Sequence, residues 1–337
     1  MRNTDPESPV PRAASGGGGA ELRSAGAGAG EGRARLRRSC LAVPGSSPKM
    51  LAKAAGLPAD QVFLDLEDAV APLEKTDATR ENVVRALVDR TWAAATKAVR
   101  VNDVETRWCF RDIVYVVEGA GAALSCIMLP KVEDASHVHF VDHLLSGLES
   151  ELGLSRRIGI EAQIESPRGL VNVERIAAAS DRLETLIFGP GDYAASLGVP
   201  QLTVGEIERG YPGDQWHYVL SRIATTARAF GLQAIDGPYA QIRDPEGFRE
   251  VARRSRLLGL DGKWALHPDQ IGLCNEIYAP TPEEYERAVQ LLEAYRQATE
   301  VDRVGAVMMG DEMIDEASRK MAEALVARGR AAGLGGE

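Results

Sequence analysis

Two carboxylates in this chain could hold a metal. Glu165 closes the apolar run that starts at Ile158, and Asp192 follows the Gly189-Pro190-Gly191 turn that ends the next run. No His or Cys stands beside either one, so both are hard oxygen ligands. Such a pair suits Mg²⁺, or Mn²⁺, with water and substrate oxygens filling the octahedron, and it disfavours zinc. The Gly-Pro-Gly string fixes a tight strand-to-helix turn where the backbone can approach a ligand, although the same string can be no more than a turn.

The other apolar runs also end in charge. Asp65-Leu66-Glu67-Asp68 closes one, Arg100 and Asn102 sit two apart on one face of another, and Lys131, Asp236 and His267 close three more. Glu161, Gln163 and Glu165 share a face as well, which is expected to point into a common mouth. Any one of these residues alone reads as a satisfied ion pair. Together they need one another, a metal or a charged ligand, because burying unpaired charge is costly. Near the first run, Val43-Pro44-Gly45-Ser46-Ser47-Pro48 turns into a helix with Lys49 and Lys53 four apart on one face. Those lysines, with free amides at the helix start, could grip an anion such as a phosphate, though two lysines on a helix are more often a solvated face.

The elements that must position these groups follow from periodicity. Short β-rich apolar runs at 39–43, 62–66, 98–102, 126–130, 158–165, 185–188, 233–236 and 263–267 alternate with polar segments of helical period. The helices include 74–90, with Val83, Val84, Leu87 and Val88 on one stripe, and 245–258 after the Asp244-Pro245 start. Eight strands with helical returns over about 230 residues predict an α/β fold, a closed (β/α)8 TIM barrel. An open doubly wound sheet is the alternative, but the first strand lacks the GxGxxG turn that favours it. Two more segments follow the barrel: a helix over 280–298, and a stretch over 304–332 with Ala317, Met321 and Leu325 at four-residue spacing. The expected organisation is a Gly/Ala-rich disordered tail over 1–36, a catalytic barrel over 37–300 and a C-terminal helical lid over 301–337.

Composition sets the outer bounds. Of 337 residues, 45% are hydrophobic and 26% charged, the balance of a soluble globular protein with a sizeable core. A formal net charge of −10 argues against a nucleic-acid footprint, while leaving room for a local basic pocket. The apolar runs fall far short of the roughly 18 to 20 residues that span a bilayer, so no membrane association is expected. Cys40, Cys109, Cys126 and Cys274 match no zinc or CxxC spacing and are expected to be reduced and buried. Nothing at the N-terminus has the apolar core of a secretory signal, and Asp5, Glu7, Glu21 and Glu31 are wrong for a transit helix, so a cytoplasmic setting is expected.

Ordered along the chain, the strings RRSCLAVPGSSPKM, FLDLEDAV, VRVND, LPKVE, IESPRG, FGPGDYA, ALHPDQI and MID resemble the citrate lyase β-subunit-like branch of the HpcH/HpaI aldolase family, which includes malyl-CoA and citramalyl-CoA lyases. The resemblance runs from about Arg37 to Asp315. It implies a Mg²⁺-dependent lyase that cleaves or forms a carbon–carbon bond in a 3-hydroxyacyl-CoA, giving an acyl-CoA and glyoxylate or another 2-oxo acid. Coenzyme A would be part of the substrate. By the same matching, Glu165 and Asp192 bind the metal, and Arg100 contacts the thioester or carboxylate oxygens. Lys49 and Lys53 meet coenzyme A phosphates, Glu67 and Asp68 orient the metal's waters, and the backbone at His267 lines the coenzyme A cleft. The tail then becomes a lid that closes over a neighbouring subunit and supplies Asp315 as general acid or base, in a homo-oligomer, trimer or hexamer. One departure stands out: many relatives carry an aromatic residue where this chain has Ala42. A malyl-CoA thioesterase, a citrate lyase β subunit, an aldolase for a CoA-free acid and a non-catalytic scaffold barrel are the alternatives.

Overall fold

The parallel strands are buried on both faces, as expected when helices return over the outside of a closed sheet. A computed structural model describes residues 35–301 and 303–335. The tail expected over 1–36 therefore lies outside the described residues, except for Arg35 and Leu36. The eight strands are β1 (Ser39–Pro44), β2 (Gln61–Asp65), β3 (Thr96–Arg100), β4 (Cys126–Leu129), β5 (Gly159–Ile164), β6 (Leu183–Phe188), β7 (Gln233–Asp236) and β8 (Gly262–Ala265). They pair in chain order, and β1 pairs with β8, with Cys40 opposite Trp264, to close the barrel.

Around them run α1 (Pro48–Ala54), α2 (Asp77–Asp89), α3 (Cys109–Ala120), α4 (Ala135–Leu152), α5 (Pro167–Val171), α6 (Val173–Ala177), α7 (Pro190–Leu197), α8 (His217–Ala229), α9 (Pro245–Leu257) and α10 (Asp269–Ile277). Proline opens α1, α5, α7 and α9, where its fixed φ starts a helix and its missing N–H costs nothing. Three of those starts follow β1, β5 and β6, so the turns at the barrel's C-terminal end are stiff where the candidate residues lie. On α2, Val83 and Leu87 are buried as expected, but Val88 is exposed and Ala86 takes its place.

Inward-facing side chains fill the barrel in layers. At mid-height Phe63 and Trp264 pack with ring centroids 4.3 Å apart, among Met128, Ile187 and Ile235. At the floor, Arg37 is 2% exposed and donates from Nε to Gln61 Oε1 and Glu161 Oε1, both at 2.8 Å. Its two terminal nitrogens bond Gln233 and Glu184. Glu161 is thus a floor residue, two same-face positions below Glu165, with Gln163 between them. The four cysteines are free and buried, as expected. No helix among the described residues is long and apolar enough to cross a membrane.

Beyond the barrel, α11 (Pro282–Glu300) leads into a hairpin of β9 (Val307–Met309) and β10 (Glu312–Ile314), and then α12 (Glu316–Ala331). α12 lies back on α11 through Ala288, Ala322 and Val326. The expected stripe of Ala317, Met321 and Leu325 is not the packed one, because Met321 is exposed and the helix turns Ala322, Val326 and Gly329 inward.

Candidate active site

Glu165 follows the last residue of β5 and is 4% exposed. Its Oε1 accepts the backbone N–H of Lys131 at 2.6 Å, and Oε2 accepts Gln163 Nε2 at 3.3 Å. Burial pushes its carboxyl up to about 7; the charge of Asp192 adds to this, while Arg100 and the Lys131 amide hold it back. Room for the carboxylate depends on Gly189: a Cβ there would lie 2.3 Å from Glu165 Oε2. The Gly-Pro-Gly string is therefore more than a turn. Asp192 sits in the first turn of α7 and lines the same 420 Å³ cavity as Glu165, together with Lys131, His137 and Arg168.

The donor set fits a hard divalent cation. Among the described residues no three of His, Cys, Asp and Glu are gathered to hold a metal, so the chain offers two carboxylates and leaves the other positions to water and substrate. Among the described residues, the buried Gln163 Oε1, beside Glu165, has no hydrogen-bond partner. A cation or its water would answer both that acceptor and the raised carboxyl.

Arg100 is 6% exposed and held from two sides. Its Nε and Nη2 donate to Asp65 at 2.8 and 2.5 Å, and its guanidinium lies 5.3 Å from the Trp264 ring centre. Nη1 is left facing Glu67 at 3.1 Å and Asp68 at 3.5 Å. Lys131 joins this cluster through Glu67 and reaches Asp192 at 3.4 Å. Burial pushes the Glu67 carboxyl up, although Arg100 and Lys131 oppose the shift. Sequence reasoning placed Lys131 at a strand end without giving it a role, and it gave Asp65 none. It also missed His137, Glu105 and Arg168 on the cavity wall. Glu105 lies in a loop, and His137 and Arg168 sit at the very starts of α4 and α5, where one turn of helix shows no periodicity that marks a facing direction.

Lys49, Lys53 and His267 come together as expected. They line a second cavity, of 510 Å³, with Ala42, Met50 and Leu266, also at the C-terminal end of the barrel. Both lysines are exposed at its rim, and Ser47 caps α1 by accepting from the Met50 N–H. Asp236 departs from expectation. Its neighbour Ile235 faces the barrel interior, so Asp236 faces outward, where its Oδ2 accepts from Lys263 Nζ at 2.7 Å beneath α9. Asn102 also leaves the mouth, with its amide nitrogen donating to Asp112 on α3 and to Leu66 O.

Asp315 is the N-cap of α12. Its Oδ1 accepts from the N–H groups of Ala317 and Ser318 at 2.9 and 3.1 Å, and among the described residues Oδ2 carries no hydrogen bond. It lines neither cavity, so within one chain the structure does not bring it to Glu165 and Asp192.

A family profile described as HpcH/HpaI aldolase/citrate lyase matches residues 38–268. An L-malyl-CoA/beta-methylmalyl-CoA lyase of Cereibacter sphaeroides is 38% identical over 292 residues, 84% of this chain and 91% of the relative. A malyl-CoA/beta-methylmalyl-CoA/citramalyl-CoA lyase of Chloroflexus aurantiacus is 34% identical over 278 residues, 78% of each. Among solved structures, CitE of Mycobacterium tuberculosis in complex with magnesium, acetoacetate and coenzyme A superposes with a TM-score of 0.69 at 31% identity, covering 88% of this chain and 99% of that one.

Proposed function

The chain belongs to the HpcH/HpaI aldolase/citrate lyase family, and from that premise we propose that it is a magnesium-dependent CoA ester lyase. The reaction is cleavage, or formation, of a carbon–carbon bond in a 3-hydroxyacyl-CoA such as malyl-CoA or citramalyl-CoA. The observation that carries this reading is the pairing of two cavities at one end of the barrel. One holds two carboxylates suited to a hard cation, and the other holds two rim lysines suited to phosphates.

Glu165 and Asp192 would hold the metal, which when bound supplies a Lewis acid for the oxygens of the 2-oxo or 2-hydroxy acid. Lys49 and Lys53 grip the coenzyme A phosphates, and the backbone at His267 lines that cleft. In the cleavage direction Asp315 takes the substrate's hydroxyl proton through its free Oδ2. The carbon–carbon bond then breaks, its electron pair moves onto the thioester as an enolate, and Arg100 Nη1 donates a hydrogen bond to that oxygen. The proton returns to carbon, releasing the acyl-CoA and a 2-oxo acid. Glu67 and Asp68 hold the Arg100 and Lys131 cations and would orient water toward a bound metal.

Asp315 would reach the mouth from a neighbouring subunit of a homo-oligomer, trimer or hexamer, with residues 301–337 as the exchanged lid on the 37–300 barrel. Support comes from Met308 and Met313, which face each other across the β9–β10 hairpin and are 60% and 63% exposed. Four buried, unpaired cysteines support a reducing, cytoplasmic setting.

The test is turnover of malyl-CoA with Mg²⁺ while free glyoxylate is trapped as its phenylhydrazone. Hydrazone should form in step with acetyl-CoA, and Glu165→Gln or Asp192→Asn should abolish it in a chain with unchanged circular dichroism. Malate without hydrazone would identify hydrolysis and overturn the lyase reading.

A further inference from the structure

Lys131 follows the strand end of β4 with a backbone φ of +51°, in the left-handed region that non-glycine residues seldom enter. Such a conformation persists only where the surroundings impose it, and at a site it is often part of the design. Here it lets one residue serve two carboxylates. The Lys131 N–H donates to Glu165 Oε1 at 2.6 Å, while its side chain crosses the mouth to bond Glu67 and to stand 3.4 Å from Asp192 Oδ2 and 3.7 Å from Asp68. Among the described residues, Lys131 is the only cation within 4.0 Å of Asp192. The lyase chemistry gives this ammonium no part in bond breaking, yet it neutralises one of the two carboxylates that the metal needs.

We propose that Lys131 is the built-in counter-cation of the metal site. In the metal-free chain its ammonium neutralises Asp192, and an arriving divalent cation displaces it from that carboxylate toward Glu67 and Asp68. Its backbone amide stays on Glu165 Oε1 throughout and keeps that ligand aimed. This inference rests on Glu165 and Asp192 being the metal ligands. Metal binding is then an exchange of one cation for another, which spares the metal-free mouth an uncompensated cluster of carboxylates. The distance supports exchange over permanent pairing: 3.4 Å is a loose contact at a half-exposed carboxylate, whereas Lys131 hydrogen-bonds the buried Glu67 carboxylate. Lys131 is thus a positioning residue, acting on the metal through the carboxylates.

The experiment is a calorimetric titration of the full chain with Mg²⁺ alone, without substrate. Lys131→Met removes the competing charge but keeps the backbone amide, so Mg²⁺ should bind about fivefold more tightly, the equivalent of one partly exposed ion pair. Lys131→Arg keeps the charge and should stay within about twofold of the parent. Unchanged or weaker binding by Lys131→Met overturns the proposal. A second readout needs no altered protein in the titration itself. The Lys131 Nζ resonance, assigned by its loss in Lys131→Arg, should shift as Mg²⁺ saturates the unaltered chain, and a resonance that stays fixed through saturation also overturns it. Asp192→Asn separates the two readings. If that variant binds Mg²⁺ as the parent does, the metal assignment fails and this proposal with it. If it loses binding while Lys131→Met does not tighten, the counter-cation role alone fails.

Discussion

At Gly189 a single absent methyl group makes room for the Glu165 carboxylate. An added Cβ would lie 2.3 Å from Glu165 Oε2 and 2.5 Å from Glu165 Cβ, closer than atoms can pack. Gly189→Ala should therefore weaken Mg²⁺ binding by about 10- to 100-fold, the usual cost of disturbing a ligand's support. Calorimetry alongside circular dichroism checks it, and parental affinity would remove Gly189 from the account. Protons should compete for the same ligand. With its carboxyl raised to about 7 in the metal-free chain, Glu165 is increasingly protonated below that pH, so apparent Mg²⁺ affinity should fall about tenfold per unit there and level off above. By linkage, the same raised group costs the metal-free chain stability as pH rises from 4.5 to about 7, since the native state holds the proton longer than the unfolded one. Titrations from pH 5.5 to 8.5 decide this. That Glu165 and Asp192 share one cavity was legible in the sequence, because both stand where neighbouring strands end. Asp236 was misread because a strand changes face at every residue, and one position separates the mouth from the helix layer. The Gly189 and Lys131 roles were hidden, since both depend on how two strands approach in space.

Among the elements, the eight strands could be read to within two residues at each end, because a parallel strand buried on both faces is a continuous apolar run. α12 was harder. Its packing face uses Gly329, where an added Cβ would meet the Tyr285 ring 2.3 Å away, and a glycine adds nothing to an apolar stripe. The helix engages only one oxygen of Asp315, because Oδ1 caps α12 and, among the described residues, Oδ2 carries no hydrogen bond. Asp315→Asn keeps a capping oxygen and loses the base, so kcat should collapse with the melting temperature nearly unmoved. Asp315→Ala loses both, and should further destabilise the α11–α12 hairpin by about 1 kcal/mol. Amide hydrogen exchange over residues 316–331 reads that difference. Equal activity of Asp315→Asn and the parent would leave Asp315 as a cap alone.

For the whole molecule, the separation of Asp315 from the mouth of its own barrel has a stoichiometric consequence. If lids are exchanged, Glu165→Gln subunits and Asp315→Asn subunits should each be inactive alone and regain activity when unfolded and refolded together. Mixed assemblies can pair an intact mouth with an intact lid. No recovery would place the lid on its own subunit. Composition shows the acidic charge balance of the chain but nothing about which subunit a lid would serve, since that is a property of surfaces such as the Met308–Met313 face. The Arg37 network bears on how far this chain can be shortened. Its barrel begins upstream of the first strand, in the side chain that ties β2, β5, β6 and β7 together at the floor. Trimming up to residue 34 leaves that knot intact. Trimming three residues more strands Glu161, a carboxylate with no exposure, at a cost of about 3–5 kcal/mol. Arg37 is thus a keystone set outside the arch it closes.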